Sequence, residues 1–241
     1  MSETPAFLER LSRADRDVPE RVAAAIPAIA RAVDAVAARL EAGGRWLYTG
    51  AGTSGRLAAL DAAEIPPTFG TDPSLVVALI AGGPRAFLTA VEGAEDDAGA
   101  GARDLDAAGM SPRDAVVGVS ASGATPYVRG AVRHARGAGA LTVAVVCRPG
   151  APLLSEAELP ILVDVGPEVL HESSRLRAGT AQKLILNMLS TAVMAKRGLV
   201  YRDEMVAMKP SSEKLRRRAI RIVLELAETS EENAEDLLRK S

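Results

Sequence analysis

Five short apolar runs recur along this chain, each followed by a stretch of helical spacing or by turn residues. They are Trp46-Leu47-Tyr48-Thr49, Leu75 to Ile80, Ala115 to Val119, Leu141 to Val146 and Ile161 to Val165. Strands that are apolar at nearly every position bury both faces, so layers of other structure must cover the sheet on both sides. The segments between the runs supply those layers, with helical patterns at Ser54 to Ala63, Pro84 to Val91, a further one before Ala108, and Pro126 to Arg136. This alternation predicts an α/β fold, a doubly wound five-stranded parallel sheet with right-handed crossovers. In the flavodoxin-like order of such sheets the first and third strands lie side by side.

Helices are expected at both ends. Residues 1–18 are polar and charged and predict a loosely held arm or short helix. Val22, Ile26, Ile29, Val33, Val36 and Leu40 then repeat at spacings of four and three, an amphipathic helix whose first turn Pro27 should kink or interrupt and which Gly43-Gly44 should end. Its stripe packs on its own domain or forms a subunit interface. A long helix from Ser174 to about Arg197, opening on a serine cap, carries Leu176, Leu184, Ile185, Met188, Leu189 and Val193. From Tyr201 the chain is charged and helical, and Arg216-Arg217-Arg218 reads as a solvated helix face. The organisation is therefore an arm (1–18), one central domain (19–200) and a helical segment (201–241).

Composition excludes several functions. With 29 basic against 31 acidic residues, the net charge of −2 offers no field for nucleic acid or an anionic membrane. Aromatics are 3%, too few for a base-stacking surface. Cys147 is the one cysteine, which rules out an internal disulfide framework and a multi-thiolate metal site, and two histidines make a histidine-rich metal centre unattractive. No apolar run approaches the ~20 residues of a membrane span, and Met1-Ser2-Glu3-Thr4 does not open a signal peptide. The expectation is a soluble, cytoplasmic protein.

Ligands of open parallel sheets bind beyond the carboxyl ends of the strands. After the first strand stands Gly50-Ala51-Gly52-Thr53-Ser54-Gly55-Arg56, which fits GxGxxG. A dinucleotide site would also need an acid at the end of the second strand, and Ile80-Ala81-Gly82-Gly83 has none. A phosphate cradle needs only close backbone, the Thr53 and Ser54 hydroxyls and the free N–H groups of the next helix. A serine there also simply caps a helix. The third strand favours the cradle, because it ends in a second hydroxyl-rich turn, Ser120-Ala121-Ser122-Gly123-Ala124-Thr125-Pro126, with proline at the first helical position. Two hydroxyl turns on adjacent strands suit a small phosphorylated ligand without a metal.

Two acidic segments flank that crevice: Asp61-Ala62-Ala63-Glu64, where Glu64 closes the first helix before Pro66-Pro67, and Glu92-Gly93-Ala94-Glu95-Asp96-Asp97. Such carboxylates divide acid and base work when their environments differ, and otherwise serve as solvated helix-end residues. His134 belongs to a basic surface face; His171 precedes the long helix, within reach of the crevice or a neighbouring subunit; Cys147 reads as a buried small residue.

These segments resemble sugar isomerase (SIS) domains, and more narrowly the N-acetylmuramic acid 6-phosphate etherases and the related glucokinase regulatory protein. GAGTSGRL from Gly50, LDAAEIPPTFG from Leu60, LIAGGPRAFLTAVEGAEDD from Leu79, SASGATPYV from Ser120 and SSRLRAGTAQKLILNMLST from Ser173 carry the likeness. The resemblance implies Glu64 as proton donor, Glu95 as second catalytic carboxylate, and Gly52, Thr53, Ser54, Ser120, Ser122, Gly123 and Thr125 around the sugar phosphate. It implies a homodimer working without cofactor or metal that cleaves a lactyl ether by elimination and water addition during cell-wall amino sugar recycling. Ile65, Ala124, His171-Glu172-Ser173-Ser174, Arg177 and Ser211-Ser212-Glu213-Lys214 depart from the family pattern, and the C-terminal helical segment is shorter than the family's. The same scaffold also hosts non-catalytic phosphosugar sensors and aldose–ketose isomerases, which stand as the alternatives.

Overall fold

The computed structural model describes residues 3–210, 212–227 and 229–240. Met1, Ser2 and Ser211, which contribute to the readings of the leader and of the Ser211–Lys214 segment, lie outside the described residues. Five parallel strands form one sheet in the order β2-β1-β3-β4-β5, where β1 is Trp46–Gly50, β2 Val76–Ile80, β3 Ala115–Val119, β4 Leu141–Val146 and β5 Leu159–Leu162. The central strands β1, β3 and β4 are buried at every residue, as their continuous apolar runs require.

Alternate side chains of those strands enter two cores. Trp46, Tyr48, Val117, Val143 and Val145 face one side, against α2 (Val18–Ala24), α3 (Ile26–Glu41), α4 (Gly52–Phe69) and α8 (Arg177–Lys196). Leu47, Val116 and Ala144 face the other, against α5 (Ala98–Ala107), α6 (Pro126–Gly137) and the short α7 (Leu153–Glu156). Three further helices, α1 (Glu3–Asp15), α9 (Glu213–Ala227) and α10 (Glu231–Lys240), complete the described α-helices. Among the described residues no helix is long and apolar enough to cross a membrane.

Several expectations need correction. Of the two forms expected for the N-terminal residues the helix is the one present, as α1, and it buries nothing. The amphipathic stripe is interrupted beside Pro27, as expected, at Ala25 between α2 and α3, but Ile26 is 51% exposed rather than part of the core. The first helix does not close at Glu64. It runs through Pro66 and Pro67 to Phe69 because Ile65 and Phe69 are buried on its last turns, and Gly70, at φ 68°, terminates it by donating to the Pro66 carbonyl. Pro84 to Val91 forms only a short 3-10 turn at Pro84–Phe87, since Leu88 is 90% exposed and offers no buried face. The fifth strand pairs at Leu159–Leu162, not 161–165, with Pro160 tolerated on the sheet edge. The long helix opens at Arg177 without a serine cap; the Glu168 carboxylate accepts from the Arg177 and Ala178 N–H groups at 2.9 Å each. Met188 turns away from the core and is 37% exposed.

Candidate functional site

β1 and β3 are paired in register, Gly50 opposite Val119, so the turns that follow them leave the sheet edge side by side. The β1 turn is tight because Gly50 and Gly55 touch: a Cβ on Gly50 would lie 2.6 Å from the Gly55 Cα. Gly52 follows at φ 51° with open space where a Cβ would stand, and it is exposed at the mouth of the crevice. Both α4 and α6 begin here with no side-chain cap, whereas α5 and α8 begin under the carboxylates of Asp97 and Glu168. Uncapped N-termini leave orphan N–H donors and a positive dipole end, which together favour an anion.

The hydroxyls of the two turns divide into two sets. Ser54 is buried and donates to Gln182 Oε1 on α8 at 2.9 Å. Ser120 is buried too, sharing a 2.9 Å hydrogen bond with Thr125 Oγ1 and accepting from the Gly123 N–H at 3.1 Å. Ser122 Oγ accepts from the Ala124 N–H at 3.2 Å. Thr53, Ser122 and Thr125 are the partly exposed members. Gly123 turns the loop at φ 62°, packed so closely that a Cβ would lie 2.6 Å from Ala151 Cβ and 2.9 Å from Val146 Cγ1.

Beside the first turn lies a cleft of about 170 Å³ lined by Ala51, Gly52, Arg56, Ala81, Ala86, Ala90, Val91, Glu92, Gly93, Ala94 and Glu95. Glu95 therefore shares a cavity with Gly52, and Arg56 supplies a cation to it. Glu64 does not line this cleft; it sits exposed on α4, further along the helix. His171 lies on an exposed turn before α8, and His134 is half-buried on α6 against Asp106, at 2.7 Å. Cys147 is buried, and burial pushes its thiol up to about 12, so it is no nucleophile at neutral pH. Among the described residues no group of three or more His, Cys, Asp or Glu side chains is placed to hold a metal ion.

Sequence reasoning passed over Arg56, although it closes the glycine run and stands one helical turn after Gly52. It also passed over a buried network behind the cradle. Asp61 accepts from Tyr48 at 2.8 Å and from Ser190 at 2.9 Å, and burial raises its carboxyl above the usual range against the pull of those bonds and of Lys183. Only the polar members at matching levels of two helices would have hinted at it.

The sequence profile of the glucokinase regulatory protein N-terminal SIS domain matches residues 28–136. N-acetylmuramic acid 6-phosphate etherases of Salmonella agona and Salmonella typhi are each 53% identical over 238 residues, covering 99% of this chain and 80% of theirs. The chain belongs to this etherase family. In fold it is similar to the phosphoheptose isomerase of Francisella tularensis, with TM-score 0.58 and 18% identity over 81% of this chain and all of that one. The Vibrio vulnificus NanR protein complexed with ManNAc-6P is also similar, with TM-score 0.57 and 15% identity over 92% of this chain and 71% of that one. Of the departures from the family pattern, Ile65 and Arg177 are buried, whereas Ala124 is exposed at the tip of the second turn, and His171 and Glu172, the latter at φ 62°, lie on the exposed turn before α8. Ser212 accepts from the Leu215 N–H at the start of α9.

Proposed function

We propose that this chain cleaves the D-lactyl ether of N-acetylmuramic acid 6-phosphate, giving N-acetylglucosamine 6-phosphate and D-lactate, as a cytoplasmic homodimer. The observation that carries the reading is the 53% identity to etherases along 99% of the chain. The site chemistry agrees with it. The uncapped starts of α4 and α6, with Gly52, Thr53, Ser122, Gly123 and Thr125, suit a phosphate dianion; Ser54 and Ser120 hold the two turns in shape. Arg56 meets the remaining negative charge of the substrate.

The reaction needs protons moved at two carbons and no external oxidant. Ring opening exposes the C1 aldehyde, which acidifies the C2 proton. A carboxylate removes that proton, the C2–C3 double bond forms, and the C3–O bond breaks with its electron pair leaving on the lactyl oxygen. An alkoxide leaves poorly, so the oxygen takes a proton from Glu64 as it departs. Water then adds at C3 while Glu95 accepts its proton, and C2 is reprotonated to restore the sugar. Glu95, in the cleft beside Gly52, is suited to the water step.

The test is D-lactate release from the phosphorylated and the unphosphorylated sugar. Release only from the phosphate ester is expected, because charge-assisted hydrogen bonds of about 1.5–3 kcal/mol each anchor it. Tight phosphosugar binding without lactate would make the chain a sensor instead, and equal use of both sugars would remove the cradle.

A further inference from the structure

We infer that the cleft beside the first hydroxyl turn is a leaving-group subsite, in which Arg56 binds the lactyl carboxylate and so selects the 3-O substituent. The inference rests on the etherase reading and concerns what the chain recognises apart from the sugar phosphate. At about 170 Å³ the cleft falls short of the ~300 Å³ at which sites for whole small molecules begin. It has room for a fragment. The lactyl group beyond its ether oxygen has five non-hydrogen atoms, which need at most about 150 Å³ at the ~30 Å³ share of a liquid water.

The walls match that fragment. Ala81 and Ala86 are buried, and with Ala90 and Val91 they offer small apolar surface to one methyl group. Gly82 keeps the wall closed: at φ 87°, a Cβ there would lie 2.8 Å from Val91 Cβ, so glycine lets the segment leading to Glu92 and Glu95 fold back on the end of β2. Arg56 is the one cation among the lining residues. It is half-buried, and its guanidinium makes no hydrogen bond or ion pair with any described residue. Arg45, Arg129 and Arg177, which are also withdrawn from solvent, are held by Asp114, Glu156 and Asp17. A cation withdrawn from water is costly unless an anion meets it.

The reach agrees. Arg56 follows Gly52 by one turn of α4, about 6 Å along the helix. With the phosphate at the turn, the lactyl carboxyl carbon is eight bonds from phosphorus, at most about 12 Å away at ~1.5 Å per bond. The length of the arginine side chain covers what the helix rise leaves. Glu92 and Glu95 repel a second anion in the cleft, so a carboxylate is retained only while it is tethered through C3 and paired with Arg56. Once the C3–O bond breaks, the freed lactate leaves, and its space admits the water that Glu95 serves.

The experiment compares the substrate with its carboxamide, in which an amide replaces the lactyl carboxylate. It uses the Glu64→Gln protein, where turnover is expected to fall about 10²–10⁴-fold. Calorimetry should show the acid binding roughly 10- to 100-fold tighter than the carboxamide. Adding Arg56→Met should abolish that preference and leave binding of N-acetylglucosamine 6-phosphate, which has no 3-O substituent, as it was. Ala90→Leu fills the cleft from an exposed position; it should weaken both ethers about tenfold and spare N-acetylglucosamine 6-phosphate. A preference for the acid that survives Arg56→Met, or losses that fall equally on all three ligands, would overturn the subsite. Absence of D-lactate release by the wild-type chain would instead overturn the etherase reading, and the binding comparison would still decide the inference.

Discussion

Ser54, in the first turn of α4, donates its hydroxyl to Oε1 of Gln182 on α8 at 2.9 Å, and both side chains are buried. This bond ties the start of the first hydroxyl turn to the helix behind it. Ser54→Ala leaves the Gln182 carbonyl buried without its donor, at a cost of about 1–3 kcal/mol in stability. Ser122, partly exposed and bonded only within its own turn, should behave in the opposite way. Ser122→Ala is expected to leave the melting temperature nearly unchanged and weaken phosphosugar binding roughly tenfold. Thermal unfolding and calorimetry on both variants check the split, and an unchanged melting temperature for Ser54→Ala would remove its structural role.

Two glycines at positive φ should also separate stability from binding. Gly123→Ala forces a Cβ to within 2.6 Å of Ala151 Cβ at φ 62°, so strain and overlap combine, and a loss of about 2 kcal/mol or more is expected. Gly52→Ala meets no atom within 4 Å and pays only for its φ of 51°, about 1 kcal/mol. Its methyl group, however, points into the open crevice where a phosphate would approach. Urea unfolding should rank Gly123→Ala as the more damaging, and calorimetry should rank Gly52→Ala as the weaker binder among folded variants.

The architecture was legible because β1, β3 and β4 are apolar at nearly every position, as a parallel sheet covered on both faces requires, and because both hydroxyl turns follow such strands. Helix ends were less legible. Pro66-Pro67 reads as a stop, yet burial of Ile65 and Phe69 holds the last turn of α4, and a distant carboxylate, Glu168, replaces the expected serine cap of α8. Local signals lost to tertiary contacts in both cases. The placement of Glu64 was hidden for the same reason: a helix thought to end there instead carries it past the cleft, on a face that sequence spacing alone does not orient.

Arg56 lines the cleft with Glu92 and Glu95, a cation against two carboxylates until an anionic sugar arrives. Arg56→Met keeps the packing stem and removes the charge. Loss of one charge-assisted contact of about 1.5–3 kcal/mol corresponds to a rise in KM of roughly 10- to 100-fold, with Arg56→Lys recovering part of it. Steady-state D-lactate release measures this, and an unchanged KM would take Arg56 out of the substrate's reach.

Asp61 gives a prediction in pH. Burial raises its folded-state value above the ordinary 3.8, while hydrogen bonds from Tyr48 and Ser190 and the charge of Lys183 pull the other way without cancelling it. A raised carboxyl holds its proton more tightly in the folded than in the unfolded chain. As pH climbs from 3.8 through the raised value, the unfolded state therefore releases this proton first, and the residue's contribution to stability falls. Below that window both states are protonated and nothing is lost; above it the penalty is constant. Asp61→Asn removes the titration while keeping a polar group between the two hydroxyls, each of which can donate to the amide oxygen or accept from its N–H. The variant should gain stability relative to the natural chain as pH rises between about 4 and 7. Urea unfolding of both proteins across that range decides it. A difference that does not change with pH would mean that Asp61 is not held at a raised value behind the cradle.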